Sequence, residues 1–335
     1  MQRFYKASSY LSKRIYQAAK AVPAETAKNI SEIRLRAGKP LSFISFGSRF
    51  FVSAGGRLTE IPSGELLTVS TADIKESFAR ICEYSVYTYT KNIASGFVTV
   101  SGGHRAGIYG TAVYEKNEIT SVRDVGGINL RISREFKGCA EKMLSLLGGE
   151  NSGSFLLCGA PATGKTTLLR DAARLLSNTY LKKVSVIDER GEIAAVSRGT
   201  AQNDVGIQTD VLDGYLKSDG IMQAVRSLSP EYIICDEIGA DDDFDAIMYG
   251  INSGVNFAAA VHASVPGELY VKKGMSRLLK SGGFSSAVFL ESGAPCKIKI
   301  YTKYPNRVKF ANETCCFVYY CRVRGVRRPN DFAQT

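Results

Sequence analysis

The spacing of apolar residues changes character once along the chain. In the first third, Phe4, Ser8, Leu11, Ile15, Ala18 and Val22 recur three and four apart, which predicts a helix with one inward face and Lys and Arg around it. That face is expected to pack on its own domain, the other use of such a helix being to lie on a membrane surface. The alternating EIRLR of residues 32–36 predicts a strand, and residues 41–46 and 49–52 predict two more. Residues 71–82 return to helical spacing, while 96–100 and 105–113 read as strands among glycines.

From Phe155 onward the pattern is different. FLLC (155–158), VSVI (184–187), YIIC (232–235) and FAAAV (257–261) are apolar throughout, and each leads into a helix or into a loop and a helix. Strands without polar alternation are buried on both faces, so these four predict a parallel sheet covered by helices on each side. The texture shifts near residues 126–138. The expected organisation is a smaller mixed α+β domain, residues 1–128, before an α/β domain, residues 129–335. No repeat or low-complexity segment interrupts either.

The first of the apolar strands opens on chemistry. Gly159-Ala160-Pro161-Ala162-Thr163-Gly164-Lys165-Thr166 follows the strand, and Thr167 continues into the helix TTLLRDAARLL. This is the phosphate-binding P-loop pattern in the context it requires. Its glycines let backbone N–H groups turn inward on phosphates, and the helix N-terminus adds positive potential. Lys165 is placed to reach the β- and γ-phosphates of ATP, and the Thr166 hydroxyl to meet Mg²⁺. A P-loop on such a sheet predicts the RecA-like class of nucleotide-binding fold.

Three more strand ends carry polar groups. YIICDE ends in Asp236 and Glu237, a Walker B pattern in which Asp236 would hold the Mg²⁺ shell and Glu237 polarise the attacking water. The same acids also read as an N-terminal cap for the next helix, which Asp241, Asp242 and Asp243 begin. VSVIDERGE ends in Asp188, Glu189 and Glu192, at the sheet edge where α/β proteins bind ligands. FAAAV ends in His262, one of two histidines in the chain. It is read as a phosphate sensor, with a purely structural role as the alternative.

Composition narrows the class. No apolar run reaches the roughly 18 to 20 residues that span a bilayer, and the basic N-terminus lacks the apolar core of a signal peptide, so a cytoplasmic protein is expected. The eight cysteines show no C-x-x-C pair. Together with so few histidines, this argues against zinc and for a reducing compartment, with Cys158 and Cys235 as core residues. The charge is uneven: residues 297–328 hold nine Lys or Arg and one acid, Glu313, which is +8 of the chain's +11. The segment is either a solvated strand hairpin, as KIKI and RVKF suggest, or a surface for acidic lipid or nucleic acid.

The four nucleotide motifs together resemble the secretion ATPase superfamily, the motors of type II and type IV secretion and of type IV pili. The resemblance covers roughly residues 30–280. IDERGEI (187–193) is similar to its Asp box, which implies that Glu192 is the catalytic glutamate, and RSLSPEYIICDEIGADDDFDAIMYGINSGVNFAAAVHAS (226–264) is similar to its Walker B to His box stretch. Val255 stands where the first His-box histidine falls, Glu237-Ile-Gly-Ala replaces E-x-R-D, and Asp236 replaces a glycine of the pilus motors. SEIRLRAGKPLSF, SGGHRAGIYG, INLRISRE, GAPATGKTTLLRD, VIDERGEIA and SPEYIICDEIG form a denser resemblance, over residues 31–268, to a sporulation branch of the superfamily.

That resemblance implies a homo-hexameric ring and membrane proteins of a channel between mother cell and forespore as partners. It places the protein on the cytoplasmic face of a membrane in the mother cell. It also implies that arginines of the first domain complete a nucleotide site between subunits; Arg105 and Arg131 occupy the matching stretches. The reading is therefore an ATPase that powers or assembles a secretion channel. A nucleic-acid-dependent ATPase is the alternative, with Tyr301, Tyr304, Phe317, Tyr319 and Tyr320 interleaved among the charges. A nucleotide switch with little turnover is the third.

Overall fold

The computed structural model describes residues 2–313 apart from 46–47, 54–55, 63, 272, 292–297 and 305–306, and of 302–313 the backbone alone. The chain forms two compact units, Met1–Arg134 and Glu135–Thr335.

The first unit contains α1 (Gln2–Ser8), α2 (Lys13–Lys20), α3 (Ala24–Ala27), α4 (Thr71–Ile81) and α5 (Thr90–Ala94). Its strands are β1 (Glu32–Arg36), β2 (Ser42–Ser45), β3 (Ser48–Val52), β4 (Leu58–Thr59), β5 (Phe97–Val100), β6 (His104–Glu115) and β7 (Glu118–Arg131). They form one sheet in the order β4-β3-β2-β1-β7-β6-β5, with every neighbour antiparallel. Alternation decides the faces: Ile33, Leu35, Ala106, Ile108, Ile128 and Leu130 point into a core closed by Phe4, Leu11, Ile15 and Ile74.

Two expectations change here. The N-terminal apolar face is real and buried, but two helices carry it. Ser12 ends the first run and caps the second, its Oγ accepting from the Ile15 N–H at 3.4 Å and donating to Asp73 at 2.8 Å. Asp73 in turn accepts from Ser70 and Arg14, which ties α2 to α4. The unit boundary also falls after Arg134 and not at 128/129. β7 continues to Arg131, whose register partners are Glu32 and Arg105, so residues 129–131 complete the first sheet.

The second unit is built from α6 (Glu141–Leu146), β8 (Phe155–Cys158), α7 (Lys165–Asn178), β9 (Val184–Asp188), β10 (Thr209–Asp213), α8 (Lys217–Ser227), β11 (Tyr232–Cys235) and α9 (Asp241–Asn252). β12 (Asn256–Val261), α10 (Lys273–Lys280), β13 (Ser286–Leu290), β14 (Ile298–Tyr304) and β15 (Arg307–Glu313) complete it. The sheet order is β10-β9-β11-β12-β8-β13-β14-β15. From β10 to β13 all pairs are parallel, and β14 and β15 add an antiparallel hairpin. Phe155 and Leu157 join the core on the α6–α7 side, while Leu156 and Cys158 join the one beneath α8, α9 and α10. This is the expected parallel sheet covered on both faces. Because β8, β9, β11 and β12 run the same way, their carboxyl ends share one edge, and the four polar motifs meet there.

Candidate nucleotide site

The loop after β8 is shaped by close approach and by left-handed backbone. A Cβ on Gly159 would lie 2.8 Å from Thr163 Oγ1 and 3.1 Å from the Leu290 carbonyl, so only glycine fits. Ala162 has φ +61° and Gly164, which precedes α7, has φ +97°. A side chain on Gly164 would meet nothing within 4 Å, so the space beside the helix N-terminus is open there. Lys165 is buried, its ammonium donating to the Gly159 and Ala160 carbonyls, each at 2.8 Å, with His262 Nδ1 3.3 Å away. Burial lowers its pKa, opposed by the nearby Asp236 and Glu237 carboxylates.

Thr166 joins the two halves of the site: its Oγ1 donates to Asp236 Oδ2 at 2.9 Å. Burial raises the Asp236 pKa; the bonds from Thr166 and the Glu237 N–H oppose this, and the charges of Glu192 and Asp188 add to it. The acids after β11 are therefore not a helix cap. Asp243 does that work, accepting the Gly239 and Ala240 N–H groups at 3.1 and 3.2 Å. Glu237, at φ +21°, is turned to His262: its Oε1 lies 2.7 Å from Nε2, with Arg190 Nη1 3.5 Å from Oε2. His262 Nδ1 also lies 3.4 Å from the Gly159 carbonyl. Lys165, His262 and Glu237 thus form one continuous chain of contacts across the crevice.

The Asp-box loop is anchored from below. Buried Asp188 accepts the backbone N–H groups of Glu192, Ile193, Ala194 and Ala195 at 2.8 to 3.3 Å. Arg170, one turn beyond Thr166 on α7, donates Nε to the Ile193 carbonyl at 2.7 Å and Nη2 to that of Glu192. Asn203 Nδ2 adds a bond to the Ile193 carbonyl at 2.8 Å. The backbone carrying Glu192 is thereby fixed to the helix that carries Thr166. Asp171, next on α7, accepts the Gly138 and Ala140 N–H groups at 3.1 and 2.8 Å. Sequence reading gave Arg170 and Asp171 no role and grouped Asp188 with the acids facing the ligand, whereas it is buried and turned to its own loop. The adjacent Arg170 and Asp171 within the LLRDAA stretch of α7 were the available signal for the first two.

Arg105 and Arg131 lie in the first unit, directly opposite one another on β6 and β7. They share the sheet face away from the core, where the Arg105 guanidinium stacks 3.4 Å from the Phe97 ring centroid. Glu32 and Arg34 on β1 lie on that same face, paired at 3.2 Å.

The oxygen donors suit the groups the motifs imply. A hydroxyl and a carboxylate already meet at the first turn of α7, with the charges of Glu192 and Asp188 raising the carboxylate's pKa, and hard oxygen ligands of this kind suit Mg²⁺. The N-terminus of α7, with the Lys165 ammonium beside its loop, suits a phosphate.

The family described as Sporulation stage III, protein AA matches residues 3–308. The chain belongs to the stage III sporulation protein AA family. Stage III sporulation protein AA of Bacillus subtilis (strain 168) is 34% identical over 295 residues, which cover 86% of this chain and 92% of that one. The likeness to this family thus extends beyond the motif-bearing residues 31–268 at both ends. Two solved structures share the fold of this stage III sporulation protein AA family member at 15% identity. The pilus retraction motor PilT with bound ADP gives a TM-score of 0.57, covering 83% of this chain and 80% of its own. The ATPase DotB of Legionella pneumophila gives 0.54, covering 89% and 81%. The fold is therefore the RecA-like fold of the secretion ATPases, as the motifs imply.

The basic segment is partly described. β14 alternates as KIKI predicts, with Ile298 and Ile300 buried and Lys299 paired with Glu291. Tyr301 packs edge-on against Phe289, ring centroids 5.2 Å apart, and joins the margin of the core. Phe317, Tyr319, Tyr320, Arg322, Arg324, Arg327 and Arg328 lie outside the described residues, as does the side chain of Tyr304. No described helix is long and apolar enough to cross a membrane.

Proposed function

We propose that this chain hydrolyses Mg-ATP at the crevice above β8, β9, β11 and β12, in a ring that powers or assembles a sporulation secretion channel. The observation that carries the reading is the 2.9 Å contact of Thr166 with Asp236, which joins the P-loop to the acid-tipped strand 70 residues away. Residues 159–164 would cradle the phosphates with backbone N–H groups, Thr167 extending the cradle at the start of α7. Lys165 would leave its own loop's carbonyls to bind the β- and γ-phosphates. Thr166 and Asp236 would hold Mg²⁺, which when bound neutralises charge developing on the transferred phosphoryl group.

Glu192 would accept the proton of the attacking water. Glu237 would orient His262, whose ring already touches Lys165, so that the histidine reports on the phosphate. Arg105 and Arg131 of a neighbouring subunit would stabilise transition-state oxygens, which makes turnover depend on assembly. The channel's membrane proteins would be the partners on which the ring does work, on the cytoplasmic face of the mother-cell membrane. Tyr301's packing at the margin of the core supports this reading over a nucleic-acid-dependent ATPase.

The division of labour is testable. Glu192→Gln should cut turnover by at least about 10²-fold with ATP binding retained, within the usual range for a general base. Glu237→Gln should produce a comparable loss and also weaken His262's hold, seen as a shifted imidazole NMR resonance. Normal turnover by Glu192→Gln would assign the proton transfer to Glu237.

A further inference from the structure

Besides the residues of the crevice, one surface of the second unit joins charge to exposed apolar groups that its own packing does not use. α10 buries Met275 and Leu278. Its Gly274 lies so close to Phe244 that a Cβ would come within 2.2 Å of the ring. The opposite face carries Lys273, Ser276, Arg277 and Lys280, which the helical repeat brings to one side. With Tyr270 and Ser281 they line an open groove of about 580 Å³.

Two of the three cations there lack an ion pair among the described residues, and the one acid of the preceding segment, Glu268, accepts the Ser264 N–H at 2.6 Å. Arg277 pairs with Asp245, but Lys273 and Lys280 have no carboxylate partner among the described residues. Lys280 suits the negative end of the helix. Lys273 stands in a first turn without any acid, against the positive end, so helix stability does not account for it. Just before α10, Val265, Tyr270 and Val271 are 54%, 55% and 79% exposed. A free anion would have no use for the valines. Tyrosine and aliphatic side chains beside lysine and arginine match the boundary of an anionic membrane, where rings and methyls enter the headgroup layer and cations meet phosphates.

We propose that residues 265–271 and the outer face of α10 dock the chain on an anionic phospholipid surface. None of these residues is among those assigned to the nucleotide crevice or to the basic segment 297–328. The docking rests on no step of ATP hydrolysis, so its failure and the failure of the ATPase reading are distinguishable.

The test is co-sedimentation of the full chain with vesicles of phosphatidylcholine alone or mixed with phosphatidylglycerol. Binding should need the anionic lipid and weaken as salt rises. Lys273→Gln, Arg277→Gln and Lys280→Gln together should lower partitioning on the order of 100-fold, from the usual worth of three basic groups near an anionic surface. Val265→Ser with Val271→Ser should weaken binding without changing its salt dependence. Both variants should keep the wild-type melting temperature and ATP turnover. Wild-type partitioning by the triple-charge variant, or equal binding of neutral vesicles, would overturn the proposal. So would competition by single-stranded DNA as strong as by vesicles, or loss of nucleotide-driven assembly in the triple variant, which would make the stripe a contact between copies.

Discussion

His104 and Lys165 are both buried bases, and their surroundings give them opposite uses. Lys165 is surrounded by acceptors and carboxylates that keep a cation useful. His104 is fully buried, accepts the Ser133 N–H on Nδ1 at 3.2 Å, and has an Nε2 without a partner. Burial, with Arg3 and Lys6 nearby, pushes its pKa down from 6.5 to about 4. The unfolded chain therefore takes up this proton first as pH falls. The stabilisation is present above pH 6.5 and is lost towards pH 4, by about 3 kcal/mol in total for such a shift. His104→Gln keeps an acceptor and does not titrate in this range. Thermal melts from pH 7 to 4 should show the first unit's transition falling more steeply in wild type than in His104→Gln; parallel curves would remove this role. At this scale the sequence was legible where a motif named the residues: the structure brings the P-loop, Asp236 and His262 together at one sheet edge. The anchoring roles of Arg170 and Asp188 were not legible, because their partners are backbone groups that only the folded loop brings near.

At the scale of elements, α7 links the site's parts. It carries Thr166 at its start, holds the Glu192 backbone through Arg170, and anchors the segment after the unit boundary through Asp171. Two charge-assisted bonds to carbonyls are worth a few kcal/mol to the loop's position. Arg170→Ala should therefore lower kcat at least about tenfold while changing ATP affinity by less than about threefold. Arg170→Lys, with one ammonium in place of a fork, should recover only part of it. An equal loss in affinity would mean that Arg170 supports the P-loop itself. β8, β9, β11 and β12 were plain from sequence because each is an apolar run buried on both faces, while β13, equally buried, was not read as a strand. β7 and β10 were not plain, since polar residues alternate through EITSVRDVGGINLR and TDVLD as on any partly exposed strand. Missing β7 put the expected boundary short of Arg134. Ser12 split the first helix because its hydroxyl caps α2 and reaches Asp73, a bond no periodicity reveals.

For the whole molecule, the account requires that copies cooperate. Arg105 and Arg131 stand together on one sheet face, and a site completed by a neighbour's arginines turns over only when assembled. Turnover per chain should rise with protein concentration and level off as a ring forms, a transition that light scattering with a non-hydrolysable analogue would follow. Arg105→Gln with Arg131→Gln should assemble but lose about 10²-fold or more in turnover. Activity independent of concentration would place the complete site within one chain.

The most direct test of the central claim is steady-state phosphate release by the full chain with Mg-ATP, beside the Lys165→Ala variant and wild type in excess chelator. Lys165 packs no apolar core, so the variant should fold and melt as wild type does. The account predicts saturable turnover by wild type, none above background for Lys165→Ala, and none once the divalent cation is removed. Undiminished phosphate release by the purified variant would contradict it.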